Sequence, residues 1–183
     1  MGLATVIQKY KRKTKQIRIL VLGLDNAGKS TLIDAFTRQT KDLLSEAPKI
    51  APTMGFSIRT IPYKRNELVY SLTFWDVGGQ ESLRPYWITY HDNRVDALLW
   101  VIDASEVSRL GESIQWMQEQ LSQGLETRLH VILNKTDLID ETPDDLNSLH
   151  GFVRQIHRVS AKTGVGVREC LDAIVTDCHQ INS

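Results

Sequence analysis

The chain has 183 residues, a formal net charge of zero, 42% hydrophobic residues and 24% charged residues. This length suits one domain with a real core, and the composition excludes disordered, collagen-like and disulfide-rich chains. No apolar run approaches the roughly 18 residues of a membrane span, and the first residues do not form a secretory signal. Residues 1–20 contain six Lys and Arg residues and no acidic residue, so residues 21–183 carry a net charge of −6. This negative charge argues against nucleic-acid binding by residues 21–183.

Alternating apolar and amphipathic segments predict the architecture. Buried strands are predicted at Ile17–Leu22, Ala97–Ile102 and Leu129–Leu133, with a weaker one at Ile156–Val159. Helices are predicted at Gly28–Arg38, Glu106–Gln123, roughly Pro143–Gln155 and Thr163–Gln180. Such alternation predicts an α/β fold, a parallel, doubly wound sheet with helices on both faces.

One region breaks this alternation. Phe56–Tyr63 and Leu68–Trp75 each alternate between apolar and polar residues, which predicts an antiparallel hairpin with a turn near Arg65–Asn66. One face of its second strand is apolar, formed by Leu68, Tyr70, Leu72 and Phe74.

The first predicted strand leads into a phosphate-binding loop. The segment fits G-x-x-x-x-G-K-[ST] in full and consists of Gly23, Leu24, Asp25, Asn26, Ala27, Gly28, Lys29 and Ser30. Its backbone N–H groups and the following helix N-terminus favour phosphate. We expect Lys29 to reach the β- and γ-phosphates and the Ser30 hydroxyl to ligate Mg²⁺.

Two further segments predict contacts to the metal and the γ-phosphate. Asp76 ends a strand and is expected to hold Mg²⁺ through water. Gly79 allows a close backbone approach to the γ-phosphate, and Gln80 is expected to orient the attacking water. Thr53, in a Pro-containing loop, is expected to supply a second hydroxyl to Mg²⁺ and to be released after hydrolysis.

The segments after the later strands predict a guanine pocket. The Asp137 carboxylate can accept from two N–H groups of guanine that adenine lacks, so it discriminates against ATP. Lys135 is expected to lie over the base, and Asn134 to tie neighbouring loops together. The segment Ser160, Ala161 and Lys162 is expected to offer a backbone N–H to the guanine oxygen.

With these motifs in hand, the chain resembles the Ras-like small GTPases, and more narrowly the ADP-ribosylation-factor group. The segments on which this resemblance rests are Gly23–Thr31, Pro52–Phe56, Trp75–Gln80 and Asn134–Asp137. Thr31 joins the nucleotide-binding residues on this ground. The opening Met1–Val6 and Leu83–Trp87 are most similar to one subgroup of ADP-ribosylation-factor-like proteins. Thr136 departs from the Gln usual in the group, which leaves effector identity open.

The resemblance implies a P-loop NTPase fold with a six-stranded sheet, a nucleotide-gated N-terminal helix and a hairpin that changes register on GTP binding. It also implies GTP or GDP as ligand, Mg²⁺ as cofactor, and an exchange factor, a GTPase-activating protein and effectors as partners. For the subgroup it implies effectors that carry lipidated cargo and a role in tubulin folding. The protein is expected to be a monomer and to have no nucleic-acid partner.

The N-terminal residues suggest how the protein contacts a membrane or a partner. Residues 1–16 are predicted to form an amphipathic, basic N-terminal helix or extension, and residues 17–183 the GTPase domain. The helix either leaves the domain in one nucleotide state to contact a membrane or partner, or packs on the core permanently. Val6 stands where a myristoylation signal requires Ser or Thr, so no myristoyl group is expected. A cytoplasmic protein, partly associated with membranes or the cytoskeleton, is predicted.

The predicted reaction is hydrolysis of GTP to GDP and phosphate, with Gln80 and Lys29 as catalytic residues. Ile50 occupies the place of a cis arginine finger, so a slow intrinsic rate and dependence on an activating protein are expected. Three alternatives remain: a P-loop ATPase or kinase, which Asp137 disfavours; a non-hydrolysing GTP-binding scaffold; and a heterotrimeric G-protein α subunit. The last is disfavoured because only fifteen residues (38–52) separate the first helix from Thr53.

Overall fold

The structure, a computed structural model, describes residues 14–40, 55–90, 95–123, 128–140, 153 and 155–179. The strands are β1 (Thr14–Leu22), β2 (Phe56–Arg65), β3 (Leu68–Val77), β4 (Ala97–Asp103), β5 (Arg128–Asn134) and β6 (Gln155–Arg158). The α-helices are α1 (Lys29–Gln39), α2 (Leu110–Ser122) and α3 (Val167–His179), and short 3-10 helices cover Glu81–Tyr90, Val107–Arg109 and Thr136–Leu138. Across these ranges no helix has the length and apolarity needed to cross a bilayer.

The strands form one six-stranded sheet in the order β2-β3-β1-β4-β5-β6. The β2–β3 pair is antiparallel, and every other neighbouring pair is parallel. The predicted fold class, a mostly parallel sheet with one hairpin, is therefore confirmed. The predicted N-terminal helix lies outside the described residues, and Thr14–Gln16 of that segment belong to β1.

Both faces of the sheet are covered, which explains the uninterrupted apolar runs. Ile19 and Val21 of β1 pack in a core with α1 and α3, whereas Leu20 and Leu22 pack in a second core with α2. Since successive strand residues point to opposite faces, a strand between two helical layers must be apolar throughout.

The hairpin turn lies one residue beyond its predicted position, and α3 begins four residues beyond the predicted start. Arg65 pairs with Leu68, so the hairpin turn consists of Asn66 and Glu67, and Asn66 adopts a left-handed φ of 54°. α3 begins at Val167 rather than Thr163, because Gly164 and Gly166 have positive φ values that a helix does not accept.

The predicted helix at 143–155 falls mostly outside the described residues, so it stays a prediction. Its last residue, Gln155, was placed wrongly: it begins β6 and pairs with His130 of β5. The predicted helix at 106–123 is divided into a 3-10 turn followed by α2.

Candidate functional site

The predicted site residues that the structure describes lie together at the carboxyl edge of the sheet. Parallel strands end at one edge, so the loops that follow β1, β4, β5 and β6 are neighbours there, and β3 ends at the same edge. Backbone hydrogen bonds join them. Asp25 N–H donates to Gly79 O at 3.0 Å, and Thr136 N–H donates to Val159 O at 3.2 Å.

The phosphate loop has a backbone that only glycine fits at two positions. Gly23 has a φ of +139°, and a methyl group there would lie 2.2 Å from Val101 O. Gly28, at +88°, caps α1, and a methyl group there would lie 2.4 Å from Asn134 Nδ2. The two glycines of the motif therefore allow the loop to turn tightly against β4 and against the Asn134 side chain.

Lys29 is the buried cation of the loop. Its side-chain Nζ donates to Gly23 O and Leu24 O, at 2.8 Å each. Burial lowers the pKa of Lys29 to about 8, while the nearby carboxylates of Asp76 and Asp25 oppose that shift. The ammonium group is thus held within the loop and is charged at neutral pH, as phosphate binding requires.

The predicted magnesium ligands fit that ion where the structure describes them. Ser30 Oγ donates to Asp76 Oδ2 at 2.5 Å, so a hydroxyl and a buried carboxylate from α1 and β3 meet beside Lys29. Mg²⁺ prefers oxygen ligands of this kind and usually keeps several waters. The other predicted ligand, Thr53, lies outside the described residues.

The segment after β3 lies directly on the phosphate loop. A methyl group at Gly79 would lie 2.4 Å from Asp25 N and 2.5 Å from Gly23 O, so the glycine allows this close approach. Gln80, the predicted water-positioning residue, follows with an exposed side chain. The backbone of Gly79 therefore lies against the phosphate loop, and its contact with a γ-phosphate stays a prediction.

The predicted base-binding residues surround a pocket of about 230 Å³. It lies between the phosphate loop and the loops after β5 and β6. Its lining consists of Gly28, Thr31, Asn134, Lys135, Asp137, Leu138, Ala161 and Lys162. All but Leu138 were predicted from the sequence.

Hydrogen bonds hold this pocket in shape. The buried Asn134 side chain donates to Ala27 O at 2.9 Å and accepts from Ala161 N–H at 3.0 Å, so one amide joins three loops. Ser160 Oγ donates to Asp137 Oδ1 at 2.6 Å and orients the carboxylate. The predicted tie through Asn134 is therefore present in the structure.

Sequence reasoning missed several residues around the site. The missed residues include Asp103, which accepts a hydrogen bond from the predicted Lys135 at 2.6 Å, and Arg38, which donates to the predicted Ala161 O at 2.7 Å. Arg84 and Arg109 both donate to Asp25 Oδ1, at 3.0 and 2.8 Å. The partners are 32 to 123 residues apart in the chain, and no local pattern signals such pairs.

The hydrogen bonds from Arg84 and Arg109 favour the ionised form of Asp25. A hydrogen bond from Arg109 is the main cause that holds the pKa of Asp25 below its usual value, and Arg84 contributes to the same effect. Arg84 likewise lowers the pKa of Glu112, to which it also donates a hydrogen bond. The carboxylate on the phosphate loop is thus ionised, and two guanidinium groups neutralise it.

Comparison with known proteins gives a consistent result. The family model of the ADP-ribosylation factor family matches residues 3–178. The chain is 38% identical over 188 residues to ADP-ribosylation factor-like protein 2 of Dictyostelium discoideum, covering 97% of this chain and 95% of the relative. It is 39% identical over 183 residues to ADP-ribosylation factor-like protein 3 of Chlamydomonas reinhardtii, covering 94% and 96%.

A solved structure supports the fold. The Arl6 BBS3 small GTPase of Trypanosoma brucei, with the bound nucleotide analogue GppNp, covers 91% of this chain and 99% of its own, with a TM-score of 0.73 and 24% identity. ADP-ribosylation factor-like protein 2 of Arabidopsis thaliana is 35% identical, covering 97% of this chain and 95% of its own length. Relatives named ADP-ribosylation factor-like protein 2 are thus among those similar to this chain over nearly its full length, in agreement with the subgroup resemblance of Met1–Val6 and Leu83–Trp87.

Proposed function

Because the chain belongs to the ADP-ribosylation factor family of small GTPases, we propose that it is a switch that binds GTP and GDP and slowly hydrolyses GTP. The observation that carries the proposal is the pocket of about 230 Å³, with Asp137 on its wall and the phosphate loop at its edge. A purine bound beside Asp137 would have its phosphates next to Gly28 and the phosphate loop that holds Lys29. The Asp137 carboxylate selects guanine, since adenine lacks the two donors it needs.

The residues of the site support hydrolysis in defined roles. Lys29 and the loop N–H groups neutralise phosphate charge, and Gln80 orients the attacking water. Ser30, Asp76 and Thr53 would hold Mg²⁺, Asp76 through water. When bound, Mg²⁺ supplies positive charge that offsets the developing charge on the β- and γ-phosphate oxygens.

The hydrolysis rate is proposed to be slow. Ile50 replaces the arginine finger that some GTPases carry in cis, and an activating protein supplying such an arginine accelerates hydrolysis by roughly 10³- to 10⁵-fold. Family members generally hydrolyse GTP and interact with exchange factors, activating proteins and effectors. Likeness to ADP-ribosylation factor-like protein 2 leads us to propose effectors that carry lipidated cargo, or a role in tubulin folding or trafficking.

The N-terminal segment is proposed to contact a membrane transiently. The basic residues that precede β1 (Lys9, Lys11, Arg12 and Lys13) suit an anionic surface, and the apolar positions of this segment recur at helical spacing. We propose that the protein is cytoplasmic, with a fraction at membranes or the cytoskeleton, and that it is a monomer whose GTPase domain consists of residues 17–183 together with the start of β1 at Thr14.

Tryptophan fluorescence tests the switch. Trp87 is fully buried and its Nε1 donates to Gly78 O at 2.9 Å, so its emission should report movement of the segment next to Gly79. We expect a fluorescence change when GDP is exchanged for a GTP analogue with Mg²⁺. The change should be unaffected by excess ATP and lost in Asp137→Asn, because an amide cannot accept both guanine donors.

Other results would point elsewhere. Stoichiometric binding of GTP without hydrolysis, even with an activating protein, would favour the non-hydrolysing scaffold. Displacement of GDP by ATP would favour an ATPase or kinase, and no nucleotide binding at all would overturn the proposal.

A further inference from the structure

Four charged side chains from three parts of the chain form one connected group beside the phosphate loop. We call it the four-charge cluster: Asp25 of the loop, Arg84 of the 3-10 helix after β3, Arg109 just before α2, and Glu112 of α2. Both arginines contact both acids. The formal charges cancel, so the group links these parts without adding net charge next to the phosphates.

Within the cluster, Arg84 is the most buried residue, and its guanidinium group contacts an aromatic ring, a backbone oxygen and two carboxylates. Its side chain is 3% exposed, and the guanidinium carbon lies 5.8 Å from the ring centre of Trp116. Its Nε donates to Gly79 O at 3.0 Å, its Nη2 donates to Asp25 at 3.0 Å, and its Nη1 donates to Glu112. The planar guanidinium therefore joins the phosphate loop, α2 and the backbone that follows β3.

These contacts fix the orientation of a particular peptide group. Gly79 O accepts from both Arg84 Nε and Asp25 N–H, each at 3.0 Å. Because a peptide unit is planar and trans, fixing Gly79 O also fixes the Gln80 N–H that lies opposite it. The preceding peptide is held through Gly78 O by Trp87, so two successive groups at the expected γ-phosphate contact are constrained.

From this geometry we propose that Arg84 is a positioning residue that holds Gly79 and Gln80 against the phosphate loop and thereby favours GTP over GDP. The inference rests on the proposed function. Only the triphosphate offers a γ-phosphate for the backbone at Gly79 and Gln80 to contact, so a residue that fixes Gly79 O, and with it Gln80 N–H, stabilises the GTP complex selectively. Arg84 is not expected to touch the nucleotide; it acts through the backbone that does.

Arg109 provides a matched control. It contacts the same two carboxylates, with Nη2 2.8 Å from Asp25 Oδ1 and Nε 3.1 Å from Glu112 Oε2. Its described contacts do not include Gly79. Loss of Arg109 therefore removes one positive charge from the cluster, as loss of Arg84 does, but leaves the Gly79 peptide held.

Replacing Arg84 should leave the protein folded. The carboxylates that it would leave behind are on partly exposed side chains, Asp25 at 45% and Glu112 at 40%, and both keep Arg109 as a partner. Loss of one cation therefore does not strand a buried negative charge, which is the strongly destabilising case.

The test compares dissociation rates of a fluorescent GTP analogue and fluorescent GDP, each with Mg²⁺, from the full chain. The proteins are wild type, Arg84→Gln, Arg84→Lys and Arg109→Gln. We expect Arg84→Gln to raise the ratio of analogue dissociation to GDP dissociation roughly tenfold. Arg84→Lys should raise it too, because an ammonium lacks the planar fork that spans three acceptors. Arg109→Gln should keep the ratio within about twofold, below the usual range of such couplings.

A purely structural role would change both dissociation rates by the same factor, and that result would overturn the inference. An equal rise of the ratio in Arg109→Gln would also overturn it, because charge rather than the Gly79 contact would then be responsible. If wild-type protein retains neither nucleotide, the proposed function itself fails. If wild type binds both and the Arg84 variants match it, only the inference fails.

Discussion

Two opposite charges lie on the phosphate loop, and their surroundings differ. Lys29 is 7% exposed, whereas the side chain of Asp25 is 45% exposed. Burial lowers the pKa of Lys29 to about 8, and the hydrogen bond from Arg109 lowers the pKa of Asp25. Both groups are charged at neutral pH, and paired arginines keep the carboxylate from repelling phosphate.

At the same scale, a substitution at Gly79 shows how closely the segment after β3 packs against the phosphate loop. In Gly79→Ala the new methyl group would meet backbone atoms of Asp25, Leu24 and Gly23 at 2.4 to 2.5 Å, so the segment must move away. Overpacking of this kind lowers the free energy of unfolding by about 1–3 kcal/mol. We expect that loss in urea denaturation, with faster dissociation of a GTP analogue.

Gly111→Ala is the matched control. A methyl group there meets no atom within 4 Å, and Gly111 lies in the first turn of α2. Alanine favours a helix, so stability should rise slightly or stay constant. Equal stability of Gly79→Ala and wild type would show that the segment is not confined as the structure indicates.

At the scale of elements, β5, β6 and α3 meet at a pair of histidines. His130 Nδ1 lies 3.1 Å from His157 Nε2, and His130 Nε2 lies 3.3 Å from Asp177 Oδ2. Burial, with His157 next to it, lowers the pKa of His130 to about 4, although Asp177 opposes the shift. Burial also lowers the pKa of His157. Arg128 faces Asp177 from β5.

This pair predicts loss of stability in mild acid. The unfolded chain binds a proton on His130 near pH 6.5, whereas the folded protein binds it only near pH 4. Stability should therefore be fully present above pH 6.5 and fall as the pH drops towards 4, by up to about 3 kcal/mol from this group. Urea denaturation at several pH values should show this slope.

The variant His130→Gln separates this contribution from that of the carboxylates. It removes the titrating imidazole, so the fall in stability between pH 6.5 and 4 should become smaller than in wild type. An unchanged slope would mean that His130 binds its proton as easily in the folded protein as in the unfolded chain.

For the whole molecule, nucleotide and metal should stabilise the fold together. A ligand that binds only the folded state adds about 2.7 kcal/mol at a hundred times its Kd. We expect GDP with Mg²⁺ to raise Tm, ATP to leave it unchanged, and a chelator to remove part of the gain. Ser30→Ala should lose the sensitivity to chelator, since Ser30 lies 2.5 Å from Asp76 at the proposed metal site.

Ser122→Ala is the control for this prediction. Ser122 lies at the exposed end of α2, where its hydroxyl donates to Glu119 O. Its gain from GDP and its response to chelator should match those of wild type. A Tm gain in Ser30→Ala that still depends on Mg²⁺ would contradict the assignment of Ser30 as a ligand.

Much of the fold and most of the site were predictable because their signals are local. The run Ile17–Leu22 is apolar because helices cover both sheet faces, and the phosphate loop needs glycine where the backbone is crowded. The start of α3 was misplaced because Thr163 and the residues after it are compatible with a helix except for the backbone of Gly164 and Gly166.

The sequence by itself determined the fold class, the phosphate-loop motif and the family, and it predicted Asp137 as the guanine-selecting residue, because each depends on residues close together in the chain. The tertiary structure alone decided that Arg84 and Arg109 converge on Asp25, and that His130 meets His157 and Asp177. Such contacts depend on side chains that the order of the strands brings together. Residues 59 or 84 positions apart in the chain produce no local sequence pattern from which their contact could be predicted.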